Sequence, residues 1–256
     1  DNGVCFDSSR GEDRQLKLNG SDAEDTHDPA RVTFESDGFD LDTTDTNYNG
    51  SSRTYVAWQW KINGGTTASN TEGSETTTIQ VNNTAGFSIV QYTGDASTSS
   101  SNNGGHGLDV APEFVFLKCR GQSEAWFAWH EALGTSYYLN LDSTSAQISN
   151  NSHSWDGSVP SATTIPIRGS GTQVNGSGES YIAYCFSPIQ GFSKFGSYTG
   201  NGNADGPFIY TGFKPAWIVV KEVDNSNDWD IRDATRNTHN PVDNWLRFNT
   251  TDGEGD

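Results

Sequence analysis

Histidine is the side chain that catalysis or zinc binding would draw on first, and this chain carries five: His27, His106, His130, His153 and His239. They are scattered, with no ligand spacing. His130-Glu131 lacks the second histidine that a zinc-protease helix requires. The Gly-x-Ser-x-Gly pattern of a nucleophile elbow does not occur. The nearest run, Arg168-Gly169-Ser170-Gly171-Thr172, has the wrong spacing and reads as a turn. These residues predict a protein that is not an enzyme, with no zinc and no catalytic residues.

Acidic clusters offer different chemistry. Asp22, Glu24, Asp25 and Asp28 lie close together, as do Asp37, Asp40, Asp42 and Asp45. Carboxylates with loop carbonyls suit a hard cation, so Ca²⁺ is the one cofactor the sequence admits, at Asp37, Asp40, Asp42 and Asp45. Neither cluster has the register of a calcium-binding loop, and solvated acidic loops are the plainer reading. Aromatic rings could stack on sugars. Trp58, Trp217 and Trp229 recur at equivalent places in strand-like runs and read as core packing. Trp155 differs, because it sits in the polar run Ser152-His153-Ser154-Trp155-Asp156-Gly157. An exposed tryptophan flanked by His153 and Asp156 is the ligand-contact candidate.

The elements that must position these residues are strands. Period-two apolar runs predict buried strands at Tyr55–Trp60, Phe114–Leu117, Tyr181–Phe186 and Trp217–Val220, with weaker ones at Thr33-Phe34, Gly38–Leu41 and Thr163–Ile167. Alternation places Val56, Trp58, Val115, Leu117, Ile182, Tyr184, Ile218 and Val220 toward a core. Asn19-Gly20, Asn49-Gly50, Asp156-Gly157, Asn175-Gly176 and Asp205-Gly206 read as turns that use a positive φ. No segment sustains a helical apolar stripe beyond a turn or two, and Glu124–Leu133 comes nearest to one. The Asn-x-Ser/Thr triplets at Asn19, Asn49, Asn82, Asn150, Asn175 and Asn249 mark surface turns. Cys119 and Cys185 sit in apolar runs as small buried hydrophobes, and three cysteines do not make a disulfide framework.

The runs repeat in order. GFSIVQYTGD from Gly86, then HGLDVAPEFVFLK, Trp126, YYLNLDSTSA and QVNGSGESYIAYCFSPIQ return from Gly191 as GFSKFGSYTGN, TGFKPAWIVVK, Trp229 and NWLRFNTTDG. The first 61 residues supply the other half: RQLKLNGSDA matches LNLDSTSA, and TNYNGSSRTYVAWQWK matches QVNGSGESYIAYCFS. Anchors agree, with Lys118 on Lys221, Leu139 on Leu246, Pro112 on Pro215, Tyr92 on Tyr198 and Tyr55 on Tyr181. The expected fold is all-β, in tandem β-sandwich-like repeats. Residues 1–61 form the C-terminal half of a repeat, 62–85 a linker or extended arm, 86–190 a complete repeat, and 191–256 the N-terminal half of another. Starting at Asp1 with no methionine, the chain reads as part of a longer product.

Composition agrees. Apolar residues make up 32% and aromatics 12%, which suits thin sandwiches filled by large rings. A net charge of −18 repels phosphate backbones and anionic lipid, which argues against nucleic-acid partners. No apolar run is long enough for a membrane span, so membrane insertion is not expected.

The segments GFSIVQYTG, GHGLDVAPEFVFLK, YVAWQWK, YIAYCFS, GFSKFGSYTGN and DGPFIYTGFKP together resemble a repeat domain of unknown function found in virion structural and tail-fibre-like proteins of bacteriophages of aquatic bacteria, including cyanophages. The resemblance spans most of residues 30–250 and implies an all-β, surface-exposed virion protein. It supplies no catalytic residues. The chain departs from that family's arrangement by being cut at both ends. The function expected is structural and adhesive: a fibre or virion-surface component, extracellular, that self-associates as a homo-oligomer or polymer and contacts other virion proteins and a host surface glycan. The alternatives are a carbohydrate-binding module of a secreted bacterial protein and a subunit of an extracellular filament.

Overall fold

The computed structural model describes residues 2–150, 155 and 157–256. It is all-β, in several sheets, with one 3₁₀ turn at Glu131–Leu133. The chain opens with an antiparallel sheet of β1 (Val4–Cys5), β2 (Arg14–Lys17) and β3 (Asp25–Thr26), followed by the hairpin β4 (Val32–Phe34) and β5 (Phe39–Leu41).

The centre of the molecule is an eight-stranded antiparallel sheet. Its strands are β6 (Ala68–Asn70), β7 (Thr77–Asn82), β8 (Phe87–Thr93), β10 (Phe114–Cys119), β11 (Phe127–His130), β12 (Tyr137–Asn140), β13 (Ile148–Ser149) and β15 (Ser180–Phe186), in the order β13-β12-β11-β10-β15-β8-β7-β6. A separate pair, β9 (Asn103–Gly105) with β14 (Thr164–Pro166), lies outside it. The chain ends in a three-stranded sheet of β16 (Trp217–Lys221), β17 (Trp229–Asp233) and β18 (Leu246–Arg247).

The run Tyr181-Ile182-Ala183-Tyr184-Cys185 has no polar alternation because both faces of β15 are covered. Tyr181, Ala183 and Cys185 join one cluster with Val90, Tyr92, Val115, Leu117, Trp155 and Ile165. Ile182 and Tyr184 join another with Ile89, Trp126, Leu139, Leu16 and Trp229, so the terminal sheets help cover the second face. Strands buried on two sides read as continuous apolar runs. Cys119 and Cys185 are buried free thiols, and burial raises the pKa of each.

Several sequence expectations are corrected. Residues 62–85 are not a linker: they carry β6 and β7, and β7 pairs with β8 from Thr78↔Gln91 to Asn82↔Phe87. Their threonines and asparagines hid a strand near a sheet edge, where polar side chains are tolerated. Glu124–Leu133 carries β11 and the 3₁₀ turn rather than a helix. Tyr55–Trp60 forms no strand, and Val56 is exposed. Tyr198, matched to Tyr92 by sequence, also lies outside any strand. Val115, Leu117, Ile182 and Tyr184 are buried, but Ile218 and Val220 are exposed on β16, whose second edge pairs with no strand among the described residues. Asn150 and Asn175 are buried and mark no surface turn.

Glycines after asparagine serve another purpose at two places. Gly50 and Gly176 have no positive φ. A Cβ at either would stand 2.9 and 3.1 Å from the hydroxyls of Tyr55 and Tyr181 respectively. Those hydroxyls accept the glycine N–H at 2.7 Å in both cases. They donate to Thr46 O at 2.7 Å and Thr172 O at 2.6 Å.

Candidate functional site

Three hairpins share one register. Val4↔Lys17 and Cys5↔Leu16 join β1 to β2, Phe127↔Asn140 and Ala128↔Leu139 join β11 to β12, and Asp230↔Arg247 and Ile231↔Leu246 join β17 to β18. Each is extended by a matching backbone bond, from Leu18 N to Gly3 O, Leu141 N to Trp126 O, and Phe248 N to Trp229 O.

The joints between the hairpins carry the same chemistry twice. Trp126 Nε1 donates to Lys17 O at 2.7 Å, and Trp229 Nε1 donates to Asn140 O at 3.1 Å. Lys118 Nζ donates to Ser21 O at 3.0 Å, and Lys221 Nζ donates to Thr144 O at 3.2 Å. Glu24 N donates to Arg120 O at 2.9 Å, and Gln147 N donates to Val223 O at 2.8 Å. An indole, an ammonium and a carbonyl thus clasp two carbonyls and an N–H of the preceding hairpin. Lys118 is fully buried and also donates to Glu124 O at 2.6 Å. Burial lowers the pKa of both Lys118 and Lys221. Carbonyl dipoles supply the partners that a buried ammonium needs.

A charged knot reinforces the first joint. Asp7 Oδ1 accepts the N–H groups of Ser9 and Arg10 at 3.0 and 2.9 Å. Its Oδ2 accepts Arg10 Nε and the Tyr184 hydroxyl, the latter at 2.6 Å. Arg10 Nη1 reaches Glu24 at 3.2 Å, and Arg120 binds the same carboxylate with two bonds of 2.8 Å. Burial keeps the Tyr184 hydroxyl protonated, with its pKa well above the ordinary value. The knot recurs at Asp233, whose Oδ1 accepts Thr235 N and Arg236 N at 3.1 and 2.9 Å. Arg236 Nε donates to Asp233 Oδ2 at 2.6 Å and its Nη1 to Glu254 at 2.8 Å. Burial opposes the Asp233 charge, but the bonds from Arg236 outweigh it and hold the carboxyl below the usual range.

This arrangement joins polypeptide to polypeptide. Its hydroxyl is held protonated, and its carboxylates accept from arginine and from backbone N–H groups.

The residues singled out from sequence lie elsewhere. Trp155 is corrected: it is fully buried, with its ring 5.1 Å from Phe127 and 5.6 Å from Trp129. The polar run around it misled because the ring turns back into the core. His153 and Asp156 lie outside the described residues. Asp45 accepts from Arg31 at 2.5 Å and from Asn47 N at 2.9 Å, while Asp37, Asp40 and Asp42 are exposed. Asp22 pairs with Lys17 at 2.7 Å. Among the described residues no group of three or more His, Cys, Asp or Glu gathers as a metal site.

Sequence reasoning found Lys118 and Lys221 as anchors without their role, and read Trp229 as core packing, which its burial bears out, without its bond to Asn140 O. It missed the knots. The signal was present: Asp7-Ser8-Ser9-Arg10 and Asp233-Ala234-Thr235-Arg236 share one spacing, each before a matched hairpin strand.

No curated protein and no solved structure matches the chain. One family model, of a domain of unknown function, matches residues 1–256.

Proposed function

The chain belongs to that family, Domain of unknown function (DUF7483), and we propose that it is a structural and adhesive module of a fibre or virion surface, built of β-sandwich-like units that repeat and stack head to tail. The observation that carries this reading is the clasp, in which a tryptophan, a lysine and a backbone carbonyl meet equivalent backbone groups at two joints. An enzyme needs one site, whereas a stacked scaffold uses one joint repeatedly. The acidic surface suits an extracellular particle and disfavours nucleic acid. The implied partners are further copies, other virion proteins and a host surface glycan.

A carbohydrate-binding module is the second reading. Phe208 and Tyr210 favour it, because both rings are exposed within a few residues of each other.

Mass photometry and negative-stain imaging of the purified chain test the proposal, alongside calorimetry of the double variant Trp126→Phe, Trp229→Phe. The parent is expected to form particles of defined copy number and to unfold as one cooperative body. The double variant leaves two half-buried carbonyls without their indole donors and is expected to lose about 1 kcal/mol per joint, with the transition splitting. A dispersed monomer that binds glycans saturably would favour the second reading. An unbounded polymer would favour the filament subunit. Unchanged unfolding of the double variant would show that the clasp is not a joint.

A further inference from the structure

We infer that residues 55–60 close onto the free edge of β16 within the same chain, taking beside β16 the place that β15 takes beside β10. β10 lies between β11 and β15. β16 pairs with β17 in the register that joins β10 to β11, with Trp217↔Asp233 matching Phe114↔His130. Among the described residues no strand pairs with its other edge.

The segment that fits this edge is already launched. Tyr55 makes the same hydroxyl-capped turn as Tyr181, which starts the buried run of β15. From that turn, Tyr55–Trp60 aligns residue for residue with Tyr181–Phe186.

Exposure marks both halves of the missing contact. Val115, Leu117 and Tyr181 are 0% exposed, whereas their counterparts Ile218, Val220 and Tyr55 are 43%, 38% and 41% exposed. Apolar side chains on an unpaired strand edge form a surface that proteins normally cover.

Ring contacts identify the occupant as this chain's own segment. Phe186 and Phe114 are cross-strand partners with centroids 6.1 Å apart. Their counterparts Trp60 and Trp217 already lie 5.6 Å apart, and Trp58 lies 6.5 Å from Phe248. A tethered segment in contact with its edge has a high effective concentration, which favours closure over exchange with a second copy. By the central register, Cys185↔Val115 and Ala183↔Leu117, the closed pairs are Gln59↔Ile218 and Ala57↔Val220.

The inference rests on the repeating-unit reading, which the clasp variants test separately. The experiment is Gln59→Cys with Ile218→Cys, oxidised in a glutathione buffer at high dilution, with both single variants as controls. Cross-strand partners have the Cα separation that a disulfide requires. The expected result is an intrachain disulfide in the monomer, mapped by peptide mass spectrometry. A disulfide found only between chains, or none above the single-variant background, overturns the inference. Hydrogen exchange on the unaltered chain gives a second readout that needs no substitution. Amides of residues 55–60 are expected to exchange at least about tenfold more slowly than those of the exposed run 206–212. Equal rates overturn closure even if the cysteine variant fails to fold.

Discussion

At the scale of single residues, burial decides what a polar group does here. His106 is fully buried, its Nδ1 accepts Leu108 N at 3.1 Å, and its Nε2 therefore carries the proton toward Ser161 O at 3.2 Å. Burial lowers its pKa from an ordinary 6.5. The unfolded ring takes up a proton near the ordinary value, and the folded ring does so only at lower pH. The stability contribution is thus complete above that value and is lost as pH falls toward the folded pKa. The melting temperature is expected to fall as pH drops below about 6.5, and to fall less steeply in His106→Gln. An equal slope in the variant would assign the effect to other groups. Trp155 makes the same point for rings. Its polar sequence neighbours could not show that it packs against Phe127 and Trp129, because both stand on β11, more than twenty residues earlier in the chain.

At the scale of elements, the tyrosine turn separates a built strand from an unbuilt one. Tyr181 stacks on Tyr92 at 4.9 Å and holds the buried Gly176 N–H. Tyr181→Phe keeps the ring and leaves that N–H unpaired in the interior, so the expected loss is about 1–3 kcal/mol. Tyr55→Phe, at an exposed copy of the same turn, is expected to cost less than about 1 kcal/mol. Chemical denaturation of the two variants measures the difference. This contrast also bounds what sequence could yield. Phe114–Leu117 and Tyr181–Phe186 were legible as continuous apolar runs because strands covered on both faces carry no polar alternation. The strands β6 and β7 were not, since polar residues at a sheet edge read like a linker. Tyr55–Trp60 and Trp217–Val220 have strand sequences, but the burial of Val56, Ile218 and Val220 depends on a neighbouring strand, which composition cannot report.

At the scale of the whole molecule, the clasp common to both joints is made against backbone. Lys17 and Asn140 occupy the same accepting position with unlike side chains, and Ser21 and Thr144 share the other, yet the bonds to their carbonyls persist. The donating side is restricted to an indole and an ammonium, while the accepting side is open to sequence drift. A library randomising Lys17, Ser21, Asn140 and Thr144 is expected to keep most members folded, provided proline and glycine are excluded. Randomising Trp126, Lys118, Trp229 and Lys221 is expected to keep few, and sorting both libraries by protease resistance reads the ratio. A joint blind to the letters on one of its two sides leaves the hairpin that supplies its acceptors free to change sequence while the contact holds. Such a chain can alter those side chains without renegotiating how its hairpins are joined.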